Sequence, residues 1–96
     1  MTAFFATMKV AAGREAEFEA LCAELSDIAH REEPGLVAYD VIRHREETST
    51  YAFYARFEDE AAFQFHQEAD FHLRLVPPIL DCVEGDMDLQ FFDWVA

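Results

Sequence analysis

The sequence predicts an α+β fold of the ferredoxin-like, split βαβ kind: a four-stranded antiparallel sheet with its helices on one face. Three observations carry this. Four segments alternate apolar residues with a period of two, and the segments between them repeat apolar residues with a period near 3.6. Their order along the chain is β-α-β-β-α-(α)-β. A length of 96 residues holds one such unit, so residues 1–96 read as one domain.

Ala3 to Val10 forms the first expected strand, with Phe4, Ala6, Met8 and Val10 on one face and Phe5, Thr7 and Lys9 on the other. Gly13 breaks that pattern before a helix from Arg14 to about Glu32. Its apolar residues Phe18, Leu21, Cys22, Leu25, Ile28 and Ala29 trace one stripe, while Glu15, Glu17, Glu19 and Glu24 fall off it. Early acids and late His30 and Arg31 suit the helix dipole. Glu33-Pro34-Gly35 ends the helix. Leu36 to Arg43 is the second strand, with Val37, Tyr39 and Val41 sharing a face. His44 to Ser49 is a hairpin loop, and Thr50 to Phe57 is the third strand.

Asp59 suits an N-cap for a short helix to about Glu68. A further helical piece starts near Asp70 and carries Phe71, Leu75, Val76, Ile79 and Leu80 on one side. Pro77-Pro78 removes two backbone donors and is expected to kink or split it. Glu84-Gly85-Asp86 reads as a turn, and Met87 to Val95 as the last strand.

The more apolar strand faces are expected under the helices: Phe4, Ala6 and Met8, then Tyr51, Phe53 and Phe57, then Leu89 and Phe91. The opposite face then carries Phe5, Val37, Tyr39, Val41, Tyr54, Phe92 and Trp94, where an outer face normally alternates to polar residues. Patches of that kind mark interaction sites, and the sheet of a second copy is the simplest cover, so a homodimer is expected. The size of the chain agrees. A domain this small buries only roughly 60–65% of its unfolded surface, yet 52% of its residues are hydrophobic, including ten Phe.

A formal net charge of −13, with Lys9 the only lysine, repels phosphate backbones and anionic headgroups, so neither nucleic acid nor a membrane surface is an expected partner. No apolar run approaches the ~20 residues of a membrane span. The first residues, Met1-Thr-Ala-Phe-Phe, lack a basic leader region. Cys22 and Cys82 have no metal-type spacing and suit a reducing compartment. A cytoplasmic location is the expectation.

Ala12-Gly13 entering an amphipathic helix, Glu33-Pro34-Gly35-Leu36 before the second strand, and Phe57-Glu58-Asp59-Glu60-Ala61-Ala62-Phe63 through to His66 resemble the antibiotic biosynthesis monooxygenase (ABM) domain. Position 57, Phe here, is Trp in many relatives. The resemblance spans nearly the whole chain and implies a dimeric α/β barrel with a pocket between helices and sheet in each subunit. It implies oxidation of quinols or polycyclic phenols without a metal or flavin, so no cofactor is expected. A separate branch of the family degrades haem with an Asn on the first strand, a Trp on the second helix and a His ligand on the next. The matching positions here are Ala6, His66 and Val76, and Val76 cannot ligate iron. Quinol-oxidising relatives often carry His-x-x-x-x-His near the end of the second helix; His66 fits the first, Phe71 holds the second, and His72 is displaced by one.

Cofactor-free oxygen insertion needs a base to form an electron-rich substrate anion, donors for the oxyanion, and a pocket that excludes water. His66 is the base candidate, because it lies on a pocket-facing helix and an imidazole titrates near neutrality. Tyr51 is the candidate donor from the strand face beneath it. Met8, Phe53, Phe63 and Phe91 are the candidate apolar walls for a small aromatic or apolar molecule. Each has a bland counterpart: a hydrogen-bonded structural histidine, and ordinary core packing for the others. His30 and His44 sit in polar surroundings and read as surface residues. His66, Asp70 and His72 are metal-ligand types, but a helix break between them and the lack of a further ligand argue against a metal site. Three functions are in view: a cofactor-independent monooxygenase of a quinol or hydroxylated aromatic, a non-catalytic barrel that binds a small apolar ligand or a regulatory partner, and a different reaction in the same barrel, such as an isomerisation.

Overall fold

The computed structural model describes residues 1–96 and places the strands in the order β2-β3-β1-β4, all antiparallel to their neighbours. β1 (Thr2–Val10) and β3 (Thr50–Phe57) form the centre, while β2 (Leu36–Arg43) and β4 (Val83–Asp93) are the edges. Three helices, α1 (Glu15–Glu32), α2 (Glu60–Glu68) and α3 (Asp70–Asp81), complete the ferredoxin-like α+β arrangement. Pairing of Phe4 with Ala55, Ala6 with Phe53 and Met8 with Tyr51 aligns the apolar sets of β1 and β3 on one face. Onto it α1 lays Phe18, Cys22, Leu25 and Ala29, all buried, as its 3.6-residue stripe requires. Asp59 caps α2 by accepting the Ala62 N–H at 2.8 Å, which satisfies one of the free donors of the first turn. Arg14 joins the start of α1 to the end of α3, donating to the Asp81 carbonyl at 2.6 Å and to its carboxylate at 3.1 Å.

Gly35 is fixed by a close approach. A Cβ there would stand 2.5 Å from the Cβ of Ala62, one turn before His66 on α2. The Gly35 carbonyl also accepts the Glu58 N–H at 2.9 Å, so this strand start and the α2 entry are tied together. Gly35→Ala is expected to cost about 1–3 kcal/mol through overpacking. Urea denaturation reads this directly, and an unchanged midpoint would contradict the clash.

Three expectations are corrected. α3 runs unbroken through Pro77 and Pro78. The donors they lack would have bonded the carbonyls of Leu73 and Arg74, which belong to solvent-exposed residues. Glu84-Gly85-Asp86 is not a turn before the last strand but a bulge inside β4. From Thr7 to Lys9, two steps on β1, the partner moves from Asp88 to Glu84, four steps on β4, and Gly85 takes up the distortion at φ 75°. The same correction moves the bounds of the last strand from Met87–Val95 to Val83–Asp93.

The third correction concerns β2. Tyr39 pairs with Ala55 and Val41 with Phe53, so both point under the helices rather than outward. A register shift between Leu36 and Ala38 puts Leu36 on that same inner side, opposite Phe57. The outer face therefore loses Tyr39 and Val41 and gains Ile42. It remains apolar, with Phe5, Ile42, Phe92 and Trp94 all exposed. There the Arg56 guanidinium stacks on Trp94 at 3.7 Å, and Arg56 Nε is enclosed without a hydrogen-bond partner. No helix is long and apolar enough to cross a membrane.

Candidate functional site

Between the sheet and the helices lies a cavity of about 170 Å³, lined by 16 residues of which 13 are hydrophobic. A volume near 150 Å³ holds one benzene ring, so the space suits a single aromatic ring. β1 supplies Phe4, Ala6 and Met8, β3 supplies Phe53, and β2 supplies Tyr39. Leu25 of α1, Phe63 of α2, and Val76 and Ile79 of α3 close the helix side. Leu80, Leu89 and Phe91 form the rim. They are 44%, 43% and 55% exposed because α3 ends and β4 is the sheet's edge.

The polar lining residues His66, Gln67 and His72 cluster at the junction of α2 and α3, where Ala69 takes an extended conformation and breaks the helix. His66 is 1% exposed. Its Nδ1 lies 2.7 Å from Oε2 of Glu33, which is also buried. With a carboxylate as partner, Nδ1–H donates and Nε2 is left as the basic nitrogen. Phe57 and Tyr39 flank the imidazole at ring separations of 5.1 and 5.5 Å, and the His72 ring meets it edge-on at 4.4 Å. A buried imidazole oriented by a buried carboxylate can accept a proton and have the resulting charge compensated.

Burial, reinforced by the adjoining His66, lowers the His72 pKa from 6.5 to about 4, with the Gln67 backbone offsetting part of the effect. A histidine that resists protonation when folded weakens the fold in acid. Above pH 6.5 it is neutral in both states; between pH 6.5 and 4 the unfolded chain takes up a proton that the folded chain refuses. Stability attributable to His72 should thus fall as pH drops through that window. Its partial exposure limits the loss to about 1–2 kcal/mol. Denaturant midpoints at neutral and acid pH should shift less in His72→Asn than in the parent; equal shifts would refute the assignment.

The sequence-predicted residues divide. Met8, Phe53, Phe63 and Phe91 line the cavity together with His66. So do Ala6 and Val76, the positions matched to the haem-degrading branch. Tyr51 does not lie beneath His66. The β3 register pairs it with Met8 and Arg43, six residues before Phe57, at the end of the sheet overhung by Glu19. Its ring packs on Phe18 at 4.7 Å and its hydroxyl donates to Glu19 Oε2 at 2.5 Å. It borders a separate groove of about 820 Å³ between α1 and β2, half of whose lining residues are hydrophobic, which also contains Tyr39, Arg43, His44 and Arg45. His30 and His44 are exposed, as expected.

Sequence reasoning missed Glu33, Tyr39 and Gln67, and left His72 without a place. Glu33 follows Glu32 in a run that reads as solvent-facing, and its partner is 33 residues away. No group of three or more His, Cys, Asp or Glu side chains assembles into a metal-holding cluster. Cys22 and Cys82 are free and buried, and burial pushes the Cys22 thiol up to about 12, which leaves it an inert thiol.

The family model for antibiotic biosynthesis monooxygenases matches residues 1–77. No curated protein gives a significant match. Among solved structures, an antibiotic biosynthesis monooxygenase is similar at 25% identity and TM-score 0.89, covering 100% of both chains. A candidate member from Caulobacter crescentus is similar at 23% identity and TM-score 0.94, over 99% of this chain and 90% of that one. SnoaB, a cofactor-independent oxygenase from Streptomyces nogalater, is similar at 22% identity and TM-score 0.84, over 97% of this chain and 91% of that one. The last two likenesses concern the fold alone.

Proposed function

The chain belongs to the antibiotic biosynthesis monooxygenase family, and from that premise we propose that it is a cofactor-independent monooxygenase acting on a single-ring quinol or hydroxylated aromatic. The observation that carries this reading is the buried Glu33–His66 pair at the polar end of an apolar cavity the size of one ring. The cofactor-independent oxygenase from Streptomyces nogalater, similar in fold, lends it support.

In this reading His66 Nε2 takes a proton from the substrate hydroxyl, while Glu33 holds Nδ1–H and compensates the imidazolium. The phenolate passes an electron to dioxygen, and recombination at a ring carbon gives a peroxide that His66 protonates. Loss of water leaves a carbonyl at that carbon. One oxygen atom enters the ring, the other departs as water, and the quinol supplies all four electrons. Apolar walls from Met8, Phe53, Phe63 and Phe91 keep the water-sensitive anion from bulk solvent. Oxygen-electrode measurements with a panel of hydroquinones test the reading: uptake above blank with hydroxyquinone formation supports it. Saturable binding of the same ring without uptake would favour the non-catalytic ligand-binding alternative.

The apolar outer sheet face, with Phe5, Ile42, Tyr54, Phe92 and Trp94, supports a homodimer formed through that surface, the dimeric α/β barrel of this family. Sedimentation velocity at micromolar concentration is expected to give about twice the 11.1 kDa chain mass; a folded monomer there would end the proposal. The two unpaired thiols fit a reducing compartment such as the cytoplasm.

A further inference from the structure

Tyr39 is the residue that the β2 register turns inward, and its hydroxyl is unused. Its ring packs beside His66 at 5.5 Å and against Phe53 at 6.0 Å, and the residue as a whole is 4% exposed. The only hydrogen bond at this residue from a side chain is to its backbone carbonyl, which accepts from Ser26 Oγ at 3.3 Å. The hydroxyl of Tyr51, by contrast, is committed to Glu19. A buried tyrosine normally finds a partner for its O–H, because an unmet donor forfeits the hydrogen bond it made with water. The Tyr39 hydroxyl makes no hydrogen bond within the chain, and Tyr39 forms part of the wall between the cavity that holds His66 and the groove beside α1 and β2. Burial, with Cys22 and Glu33 nearby, pushes its pKa well above the ordinary tyrosine value, so it stays a donor across the working pH range.

We propose that Tyr39 is a substrate-contacting, specificity-determining residue: its hydroxyl donates to the same phenolic oxygen from which His66 takes the proton, and so selects hydroxylated rings over plain ones. The inference rests on the reading of this cavity as the substrate site. It assigns Tyr39 the oxyanion donor that the chemistry requires, on the strand next to the one where the sequence suggested it. A donor already in place stabilises charge as it develops, at no reorganisation cost.

The test uses 4-nitrophenol, whose ionisation is visible in its absorbance, and nitrobenzene as the ring without the hydroxyl. Bound to the parent protein, 4-nitrophenol should titrate below its free-solution pKa, and in Tyr39→Phe about one unit higher than in the parent. Nitrobenzene affinity should be the same in both. Tyr51→Phe, which alters a hydroxyl outside the cavity, should leave both readouts at parent values. Identical probe titration in the parent and Tyr39→Phe would overturn the inference, as would failure of the parent to bind 4-nitrophenol. If Tyr39→Phe did not fold, a parent with no preference for 4-nitrophenol over nitrobenzene would overturn it equally. None of these readouts needs turnover. A protein that consumes no dioxygen but shows the probe shift loses the monooxygenase reading and keeps this one; one that turns over quinols without the shift does the reverse.

Discussion

His66→Ala is expected to lower dioxygen uptake with the best hydroquinone about 10²–10⁴-fold, the range general-base catalysis contributes. Loss of rate alone would not separate chemistry from folding. Removing the imidazole leaves Glu33 buried with Oε2 unpartnered, and its Oε1 already has no hydrogen-bond partner. Breaking a buried pair on one side costs about 3–5 kcal/mol, much of which returns when both partners become apolar. The informative companion is therefore His66→Phe with Glu33→Met, which should recover most of the stability that His66→Ala loses and none of the activity. Glu33→Gln adds a third point. The amide oxygen can still accept from Nδ1–H but no longer compensates an imidazolium, so the rate should fall while the fold holds. Full activity in the stable double variant would remove His66 from the mechanism.

Phe57→Ala is expected to destabilise the protein by about 3–5 kcal/mol, a large part of the roughly 5–15 kcal/mol that holds a small domain folded. The side chain is fully buried and packs against Phe4 at 6.2 Å, Phe63 at 5.4 Å and His66 at 5.1 Å. Truncation opens a void in contact with the imidazole, which loses one of the walls that orient it. Phe57→Leu, which keeps most of the volume, should cost less than half as much. Urea titrations compare the two, and a loss below about 1.5 kcal/mol for the alanine variant would show that the site collapses readily. Activity should fall further than stability predicts, because a loosened ring spends less time aligned with Glu33.

Much of the architecture was legible in the residues. The stripe from Phe18 to Ala29 specifies α1, and Gly13 before it and Pro34-Gly35 after it mark its ends. What was not legible depended on choices that local pattern leaves open. Alternation groups Tyr39 with Val41 but does not say which side of the sheet they take; that depends on pairing with Ala55 and Phe53 across the edge. The bulge at Gly85 looks like a turn because both need the same backbone freedom. In the site, the apolar walls were readable because inward strand faces line whatever lies under the helices. The Glu33–His66 pair was not, since it joins the end of one helix to the end of another through space. Tyr51 failed as the donor because face alone was considered; position along the strand puts it near Glu19 instead of His66.

The helix joint around Ala69 has an evolutionary consequence. His66, Gln67 and His72 all come from one stretch of seven residues, whereas the apolar walls are contributed by all four strands and all three helices. Apart from Glu33, the polar end of the cavity is thus encoded in one short segment, and its apolar walls are spread along the chain. Substitutions at Met8, Phe53 or Met87 can therefore reshape the cavity without touching His66, Gln67 or His72. Under the proposed function, descendants of such a scaffold can change the ring they accept before they change the reaction.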